Sequence, residues 1–209
     1  MFFNYQKFLS LSVISVVQIT TLPSFATGVK DSADETNPIK AGTSIPTVKL
    51  TNFENKPVEL TQLAAKKPSV FVFYRGGWCP FCNAQLSRLG KIEGDIKKLG
   101  YEIYAISPDT PASLRKTISQ NELNYTLISD IKGEAAAKFG LAFKAPDGMR
   151  DKLIARGHDI AKDRSYTLPI PAVYVVSQKG KVLYKFSNPD YSVRLDESEL
   201  LAQLKKFKK

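Results

Sequence analysis

The chain has 209 residues, and its 30 Lys and Arg against 20 Asp and Glu give a formal net charge of +10 at pH 7. This length suits one domain with a sizeable core. The lysines are spread along the chain in pairs, such as Lys66 with Lys67 and Lys205 with Lys206, without interleaved aromatic residues that would form a nucleic-acid-binding stripe. We therefore expect a solvated basic surface and no nucleic-acid partner.

The first 26 residues have the pattern of a secretory signal peptide. Lys7 precedes an apolar stretch over residues 8–19, and the small residues Ser24 and Ala26 fit the cleavage rule, which makes Thr27 the first residue of the mature chain. The alternative is an uncleaved membrane anchor, but polar residues interrupt the stretch well short of the ~18 continuous apolar residues that a span needs. We expect export, to a periplasm, and no stable membrane insertion after cleavage.

The mature chain divides into a lead-in and one domain. Residues 27–43 are polar with few large apolar groups, a composition that predicts a flexible lead-in. Residues 44–209 show the apolar patterns of strands that alternate with helices, which implies an α/β domain with a parallel core.

Within this domain the pattern gives individual elements in chain order. The predicted strands are 47–51, 56–60, 69–74, 101–107, 126–130, 172–177 and 181–186. The predicted helices are 61–67, one that follows the two cysteines and ends near residue 100, 111–123, 133–139 and 196–207. The charged, irregular stretch 142–167 is predicted to be an insertion or a long loop.

Both cysteines of the chain, Cys79 and Cys82, lie between the apolar strand 69–74 and the helix that follows. The first turn of a helix has unpaired backbone N–H groups and the positive end of the helix dipole, so a thiol there ionises more readily than a free one. The thiolate is a nucleophile, and the second thiol is close enough to form a disulfide with it. The position therefore indicates a redox-active dithiol.

Two other uses of the pair are open but less favoured. A structural disulfide across so short a loop would remove little entropy from the unfolded chain. Zinc normally requires four ligands, and the chain offers only the two cysteines and the distant His158. We expect no metal and no other cofactor. Because an oxidising compartment favours the disulfide, an active dithiol there would need a dedicated reductant.

The order of elements resembles the thioredoxin fold, with a β-α-β half that carries Trp-Cys-x-x-Cys followed by a β-β-α half. The resemblance implies a single domain whose central mixed sheet is flanked by helices. It also implies a cis-proline beside the dithiol at the entrance of strand 172–177, a position that Pro171 matches. The alternative is an ordinary trans-proline that ends the preceding loop.

Residues 73–86, together with the later motif 188–194, resemble a peroxiredoxin-like branch of the alkyl hydroperoxide reductase/thiol-specific antioxidant (AhpC/TSA) family. The likeness covers about residues 44 to 207. The family motif Pro-x-x-x-Thr/Ser-x-x-Cys ends at the peroxidatic cysteine. If that residue is Cys82, then Cys79 stands where the family has a hydroxyl and Arg75 stands at the first proline, while Pro80 retains the second proline.

The resemblance implies an exported peroxidase that reduces hydrogen peroxide or organic hydroperoxides. Cys82 would attack the peroxide and Cys79 would resolve the sulfenic acid as a Cys79–Cys82 disulfide, which a thioredoxin-like protein would reduce. Arg75 or Arg194 would supply the cation beside thiolate and peroxide. The family resemblance also allows a homodimer.

Substrate or partner access is expected to depend on Trp78, Pro80 and Pro171, with core packing as the alternative role of Trp78. A second activity is open on the same motif. In thiol–disulfide exchange, as in thioredoxins and glutaredoxins, Cys79 would be the attacking thiol and Cys82 the resolving one. The Pro80–Phe81 pair between the cysteines resembles glutaredoxins. A third reading, a non-catalytic binding module, does not account for an intact dithiol.

Overall fold

The structure is a computed structural model that describes Met1, residues 28–158 and residues 166–208. A seven-stranded mixed sheet lies at its centre, with helices on both faces. The predicted signal peptide, residues 1–26, lies outside the described residues apart from Met1. Within the described part of the chain, no helix has the length and apolar character needed to cross a membrane.

The elements that the sequence predicts occur in the predicted order, and the structure adds two strands, one α-helix and a 3₁₀ helix. The strands are β1 (Lys49–Asn52), β2 (Pro57–Glu59), β3 (Ser69–Phe73), β4 (Glu102–Ser107), β5 (Thr126–Ser129), β6 (Ala142–Lys144), β7 (Thr167–Pro169), β8 (Ala172–Val176) and β9 (Val182–Ser187). The helices are α1 (Leu60–Lys66), α2 (Pro80–Lys98), α3 (Pro111–Asn121), α4 (Glu134–Lys138), α5 (Met149–Ala155) and α6 (Glu197–Phe207), and a 3₁₀ helix covers Ala33–Glu35.

The strand order of the main sheet is β2-β1-β5-β4-β3-β8-β9, in which β3, β4 and β5 are parallel and the other pairs antiparallel. All five residues of β3 are buried because helices cover both faces of the sheet. Its Val70 and Val72 pack with α2, α3 and α6, whereas Phe71 and Phe73 pack with α1 and α4. The expected α/β fold with a central mixed sheet is confirmed.

The parallel strands determine where chemistry can occur. Their carboxyl ends lie at one edge of the sheet, so the loops after β3 and β4 are neighbours. The loop after β3 contains the two cysteines, and α2 then begins with Pro80, a residue that suits the first turn because its missing N–H is not needed there. The dithiol is therefore held at this edge by the most buried strand of the fold.

The stretch 142–167, expected as an insertion or long loop, contains regular structure. Strand β6 pairs antiparallel with β7, and α5 lies between them, while residues 159–165 lie outside the described residues. No cis peptide bond occurs among the described residues, so the expected cis bond before Pro171 is wrong. The backbone N–H of Ile170 donates to the Leu141 carbonyl at 3.0 Å, and this bond keeps the chain extended from β7 into β8.

The segment 28–43, expected as a flexible lead-in, is docked on the domain. Its backbone N–H groups at Lys30, Ile39 and Gly42 donate to the carbonyls of Ala142, Phe139 and Val182 at 2.9, 3.0 and 2.8 Å. The side chains of Ala33 and Ile39 pack on the core face formed by α1 and α4. Backbone hydrogen bonds to β6, to β9 and to the end of α4 provide the anchoring, and amino-acid composition does not reveal them.

The docking of this segment requires a glycine at position 140. Gly140 has φ +70°, and a Cβ atom there would lie 2.0 Å from the carbonyl oxygen of Asn37. We predict that Gly140→Ala releases the segment and lowers the free energy of unfolding by about 2–3 kcal/mol, from backbone strain plus the clash. Hydrogen exchange measured by mass spectrometry should show faster exchange at residues 36–42.

The matched control is Gly148→Ala. Gly148 has φ +68° but no atom within 4 Å of the added Cβ, so this change carries the strain alone, about 1 kcal/mol. Equal destabilisation by the two substitutions, with unchanged exchange at residues 36–42, would show that the contact with Asn37 does not hold the segment.

Candidate active site

The two cysteines lie at the amino end of α2, immediately after the loop that leaves β3. Cys79 is the N-cap residue and Cys82 lies in the first turn. Both are free thiols, and their exposed fractions are 1% and 0%. The backbone N–H of Cys79 donates to the Gly76 carbonyl at 3.1 Å, which closes the turn before the helix. The structure thus shows the dithiol form of the pair, with both sulfurs buried.

The two thiols have opposite pKa shifts. A hydrogen bond donated by the Cys82 thiol lowers the pKa of Cys79 to about 6 against the penalty of burial, with help from the Cys82 backbone N–H and the charges of Arg75 and Arg194. The same hydrogen bond, then burial and the charge on Cys79, raise the pKa of Cys82 well above its ordinary value. Near neutral pH the pair therefore holds one negative charge, which lies on Cys79.

Arg194 approaches the dithiol from the segment between β9 and α6. Its Nη2 lies 3.6 Å from Cys82 Sγ, a long contact between donor and sulfur. Its Nη1 donates to the carbonyls of Tyr191 and Val193, the second at 3.0 Å. The motif at residues 188–194 therefore lies beside the dithiol, and its candidate site residue Arg194 contacts Cys82.

Arg75 supplies a second cation, on the same loop as the cysteines. The residue is only 7% exposed, and its guanidinium carbon lies 5.0 Å from the ring centre of Trp78 and 4.3 Å from that of Tyr191. Both distances are within the range of a cation–π contact. The guanidinium contacts two aromatic rings, and its charge helps to lower the pKa of Cys79.

The side chain of Trp78 is held by Tyr166 and by the backbone of the glycine loop. Its indole Nε1 donates to the Tyr166 hydroxyl at 3.1 Å. The indole passes so close to the backbone of Gly76 that a Cβ atom there would lie 2.4 Å from Nε1. Trp78 also lines a pocket of about 260 Å³, whose other walls belong to α5 and its flanks and include Lys152 and Arg156. The tryptophan therefore forms a wall between this pocket and Arg75.

The glycine loop is tied to the neighbouring strand by a buried carboxylate. Asp109 follows β4 and is 2% exposed, and its Oδ2 accepts from the Gly77 backbone N–H at 2.8 Å and from the Ser107 hydroxyl at 2.9 Å. Asn83 Nδ2 donates to the Gly77 carbonyl at 2.7 Å. The backbone N–H and C=O of Gly77 are therefore both satisfied, which fixes the loop that carries Arg75 and Trp78.

The two candidate prolines occupy different environments. Pro80 is exposed at the start of α2, beside the sulfurs. Pro171 is buried at the entrance of β8, and its carbonyl accepts from the Asn188 backbone N–H at 3.2 Å. That bond anchors the beginning of the segment that carries Tyr191 and Arg194. The structure therefore gives Pro171 a role in placing this segment.

Four residues of the site were not expected from the sequence: Asp109, Asn83, Tyr166 and Tyr191. One signal could have found Asp109, since a carboxylate directly after β4 must lie at the edge of the sheet where β3 also ends. Tyr166 lies near the end of the insertion, in a stretch whose position relative to the cysteines local sequence pattern does not predict. Within residues 28–158 and 166–208, no group of three or more His, Cys, Asp or Glu side chains is arranged to bind a metal ion.

Comparison with known proteins gives one family and a recurrent fold. The model of the AhpC/TSA family matches residues 41–185. A putative peroxiredoxin Bcp of Haemophilus influenzae is 34% identical over 105 residues, which cover 50% of this chain and 67% of that protein. A thiol-disulfide oxidoreductase ResA of Bacillus thuringiensis is 21% identical over 160 residues, 76% of each chain. The crystal structure of peroxidoxin BcpB from Mycobacterium tuberculosis superposes with a TM-score of 0.64 at 20% identity, over 82% of this chain and 99% of that one.

The indole of Trp78 lies so close to the loop that position 76 requires a glycine. Gly76 has φ +140°, and an added Cβ would also lie 3.0 Å from Asp109 Oδ1. We predict that Gly76→Ala lowers the free energy of unfolding by about 1–3 kcal/mol and displaces Trp78. Since Trp78 is the only tryptophan of the chain, its fluorescence emission should change.

The control is Gly94→Ala, inside α2, where no atom lies within 4 Å of the added Cβ. This substitution should leave the emission unchanged and raise stability by about 0.5–1 kcal/mol, because alanine favours a helix more than glycine does. A Gly76→Ala protein with the emission spectrum and stability of the wild type would contradict the described loop.

Proposed function

The chain belongs to the AhpC/TSA family and is a thiol-dependent peroxidase, and from this premise we propose that it reduces hydroperoxides through Cys79 and Cys82 and is recycled by a thioredoxin-like reductant. The single observation that carries the proposal is the dithiol with one negative charge, held beside two guanidinium groups. A thiolate is the nucleophile that breaks an O–O bond, and cations beside it stabilise the departing oxygen anion.

In the first step Cys79 acts as the base and Cys82 as the nucleophile. The Cys79 thiolate accepts the thiol proton of Cys82 along their hydrogen bond, and the Cys82 sulfur attacks the terminal oxygen of the hydroperoxide. An S–O bond forms and the O–O bond breaks, so Cys82 becomes a sulfenic acid. The leaving alkoxide or hydroxide takes the proton from Cys79 and departs as alcohol or water.

In the second step Cys79, again a thiolate, attacks the Cys82 sulfur. The S–S bond forms, the S–O bond breaks, and the released hydroxide becomes water with a proton from solvent. An external dithiol then reduces the Cys79–Cys82 disulfide by exchange and restores the starting state. The contact of Arg194 with Cys82 supports this assignment, because it stabilises the anion that forms on Cys82 in the first step.

Thiol–disulfide exchange is the second candidate, and one observation favours it. The lowered pKa of Cys79 is the property of an attacking thiol in exchange, and Cys79 lies at the helix end where that thiol is needed. The similarity to a thiol-disulfide oxidoreductase agrees with it. In this case Cys79 would attack a substrate disulfide and Cys82 would resolve the mixed disulfide.

Two single substitutions separate the two activities. We predict that Cys82→Ser abolishes hydroperoxide consumption, because the attacking sulfur is lost. Cys79→Ser should consume one equivalent of peroxide per chain and stop at a sulfenic acid on Cys82, because no thiol resolves it. Stopped-flow peroxide assays and trapping of the sulfenic acid with dimedone, followed by mass spectrometry, measure both results.

The wild-type protein serves as control in a parallel insulin-reduction assay. If Cys79→Ser alone removes all reactivity, and the wild type reduces insulin but ignores hydroperoxides, thiol–disulfide exchange is the activity. If neither substitution changes either assay, the dithiol has no catalytic role and the chain acts as a binding module.

Export is the second part of the proposal. The charge, apolar stretch and small residues of segment 1–26 support cleavage after Ala26 and release into a periplasm. In an oxidising compartment the disulfide would accumulate without a reductant, which is consistent with the requirement for a thioredoxin-like partner.

We predict that the full chain, expressed in a Gram-negative host, yields a periplasmic protein whose first residue is Thr27, as measured by fractionation and intact mass. Ala26→Leu should block cleavage, because the enzyme that removes the signal requires a small residue there. Recovery of the uncleaved wild-type chain in the cytoplasm would reject the signal peptide.

A further inference from the structure

The two cations beside the dithiol share one neighbour, Tyr191. Its ring lies 4.3 Å from the guanidinium carbon of Arg75, and its backbone carbonyl accepts a hydrogen bond from Arg194 Nη1. Arg194 in turn contacts Cys82 through its other terminal nitrogen. One residue of the segment between β9 and α6 therefore touches both guanidinium groups of the site.

Among the described residues, the contacts of Arg75 other than Tyr191 do not neutralise its charge. Its Nε is buried and has no hydrogen-bond partner among the described residues, and no carboxylate of the described chain lies within ion-pair distance. A buried cation is costly unless something compensates its lost hydration. Here the rings of Trp78 and Tyr191 do so through cation–π contacts.

The exposure of Tyr191 argues against a purely structural role. The residue is 48% exposed, and among the described residues its ring makes a T-shaped contact with Phe81, with centroids 5.7 Å apart, and a cation–π contact with Arg75. A half-exposed side chain contributes little to the core, so its removal should change global stability little. Its contacts instead determine the positions of the guanidinium groups of Arg75 and Arg194.

We propose that Tyr191 is a positioning residue that holds both cations of the site, Arg75 through its ring and Arg194 through its carbonyl. Tyr166 supports the second ring that contacts Arg75, since its hydroxyl accepts a hydrogen bond from the indole of Trp78. The effect on the thiolate is independent of the substrate, while the effect on peroxide reduction rests on the proposed function.

The test compares Tyr191→Leu with Tyr191→Phe. Leucine removes the aromatic face and releases Arg75, whereas phenylalanine retains the face and loses only the hydroxyl. The first measurement is the rate of iodoacetamide alkylation of Cys79 in the reduced protein against pH, with the site identified by mass spectrometry. This rate follows the thiolate fraction and needs no peroxidase activity.

In the wild type the rate should rise through pH about 6, where Cys79 ionises. A nearby cation favours the thiolate, so its loss raises the pKa of Cys79 and moves the profile to higher pH. If the pKa of Cys79 rises by about 0.5 to 1, alkylation of Tyr191→Leu at pH 6 is roughly two- to fivefold slower than that of the wild type, and the two rates converge above pH 9. Tyr191→Phe should restore the wild-type profile.

The second measurement is kcat/KM for a hydroperoxide, which should fall about tenfold in Tyr191→Leu and recover in Tyr191→Phe. Thermal unfolding of both variants checks that they fold. Ile131→Ala, which removes another exposed apolar side chain far from the cations in sequence, should leave both measurements unchanged. Should Tyr191→Leu fail to fold, Tyr166→Phe tests the support of the second ring, with a shift of the alkylation profile in the same direction.

The outcomes separate this proposal from the proposed function. A wild-type alkylation profile in Tyr191→Leu, or a Tyr191→Phe profile that matches the leucine variant, would overturn the positioning role. A shifted profile in a protein that consumes no hydroperoxide would support the positioning role and reject the peroxidase activity.

Discussion

A single negative charge shared by two buried sulfurs is the constraint on which the site depends. A thiolate out of water is costly, and this one is stabilised by a neighbouring thiol, by the first turn of α2 and by two guanidinium groups. The buried strand β3 leads directly into the loop that holds the two cysteines, and the carboxylate of Asp109 fixes this loop, which also carries Arg75. Loss of any of these supports changes how readily Cys79 ionises.

The same burial governs access. Neither sulfur is more than 1% exposed, yet a hydroperoxide oxygen must touch the sulfur that it oxidises. Arg194, from the segment between β9 and α6, is one of the groups in contact with Cys82. A substrate oxygen that reaches the Cys82 sulfur must therefore come close to this cation.

Local pattern was sufficient for the elements that depend on neighbours in sequence. The apolar run of β3, the amphipathic α2 and the cysteine pair between them identified the fold and the position of the dithiol. Features that depend on residues far apart in the sequence could not be predicted from local pattern. The docking of residues 28–43, the pairing of β6 with β7 and the ring of Tyr191 over Arg75 all join segments far apart in the chain. The cis bond expected at Pro171 came from resemblance to a wider fold family, and the structure has no cis bond at that position.

The thiol at position 79 makes the order of events depend on one proton. Where the family motif has a hydroxyl, a thiol with a lowered pKa can act as base, as resolving group, or as nucleophile. A proton on Cys82 leaves the charge on Cys79, which suits exchange with a disulfide. A proton on Cys79 leaves the charge on Cys82, beside Arg194, which suits attack on a peroxide. Because the two states differ only by transfer along one hydrogen bond, a cation held firmly against Cys82 favours the peroxidase, and the residues that hold Arg194 in place take part in selecting the reaction.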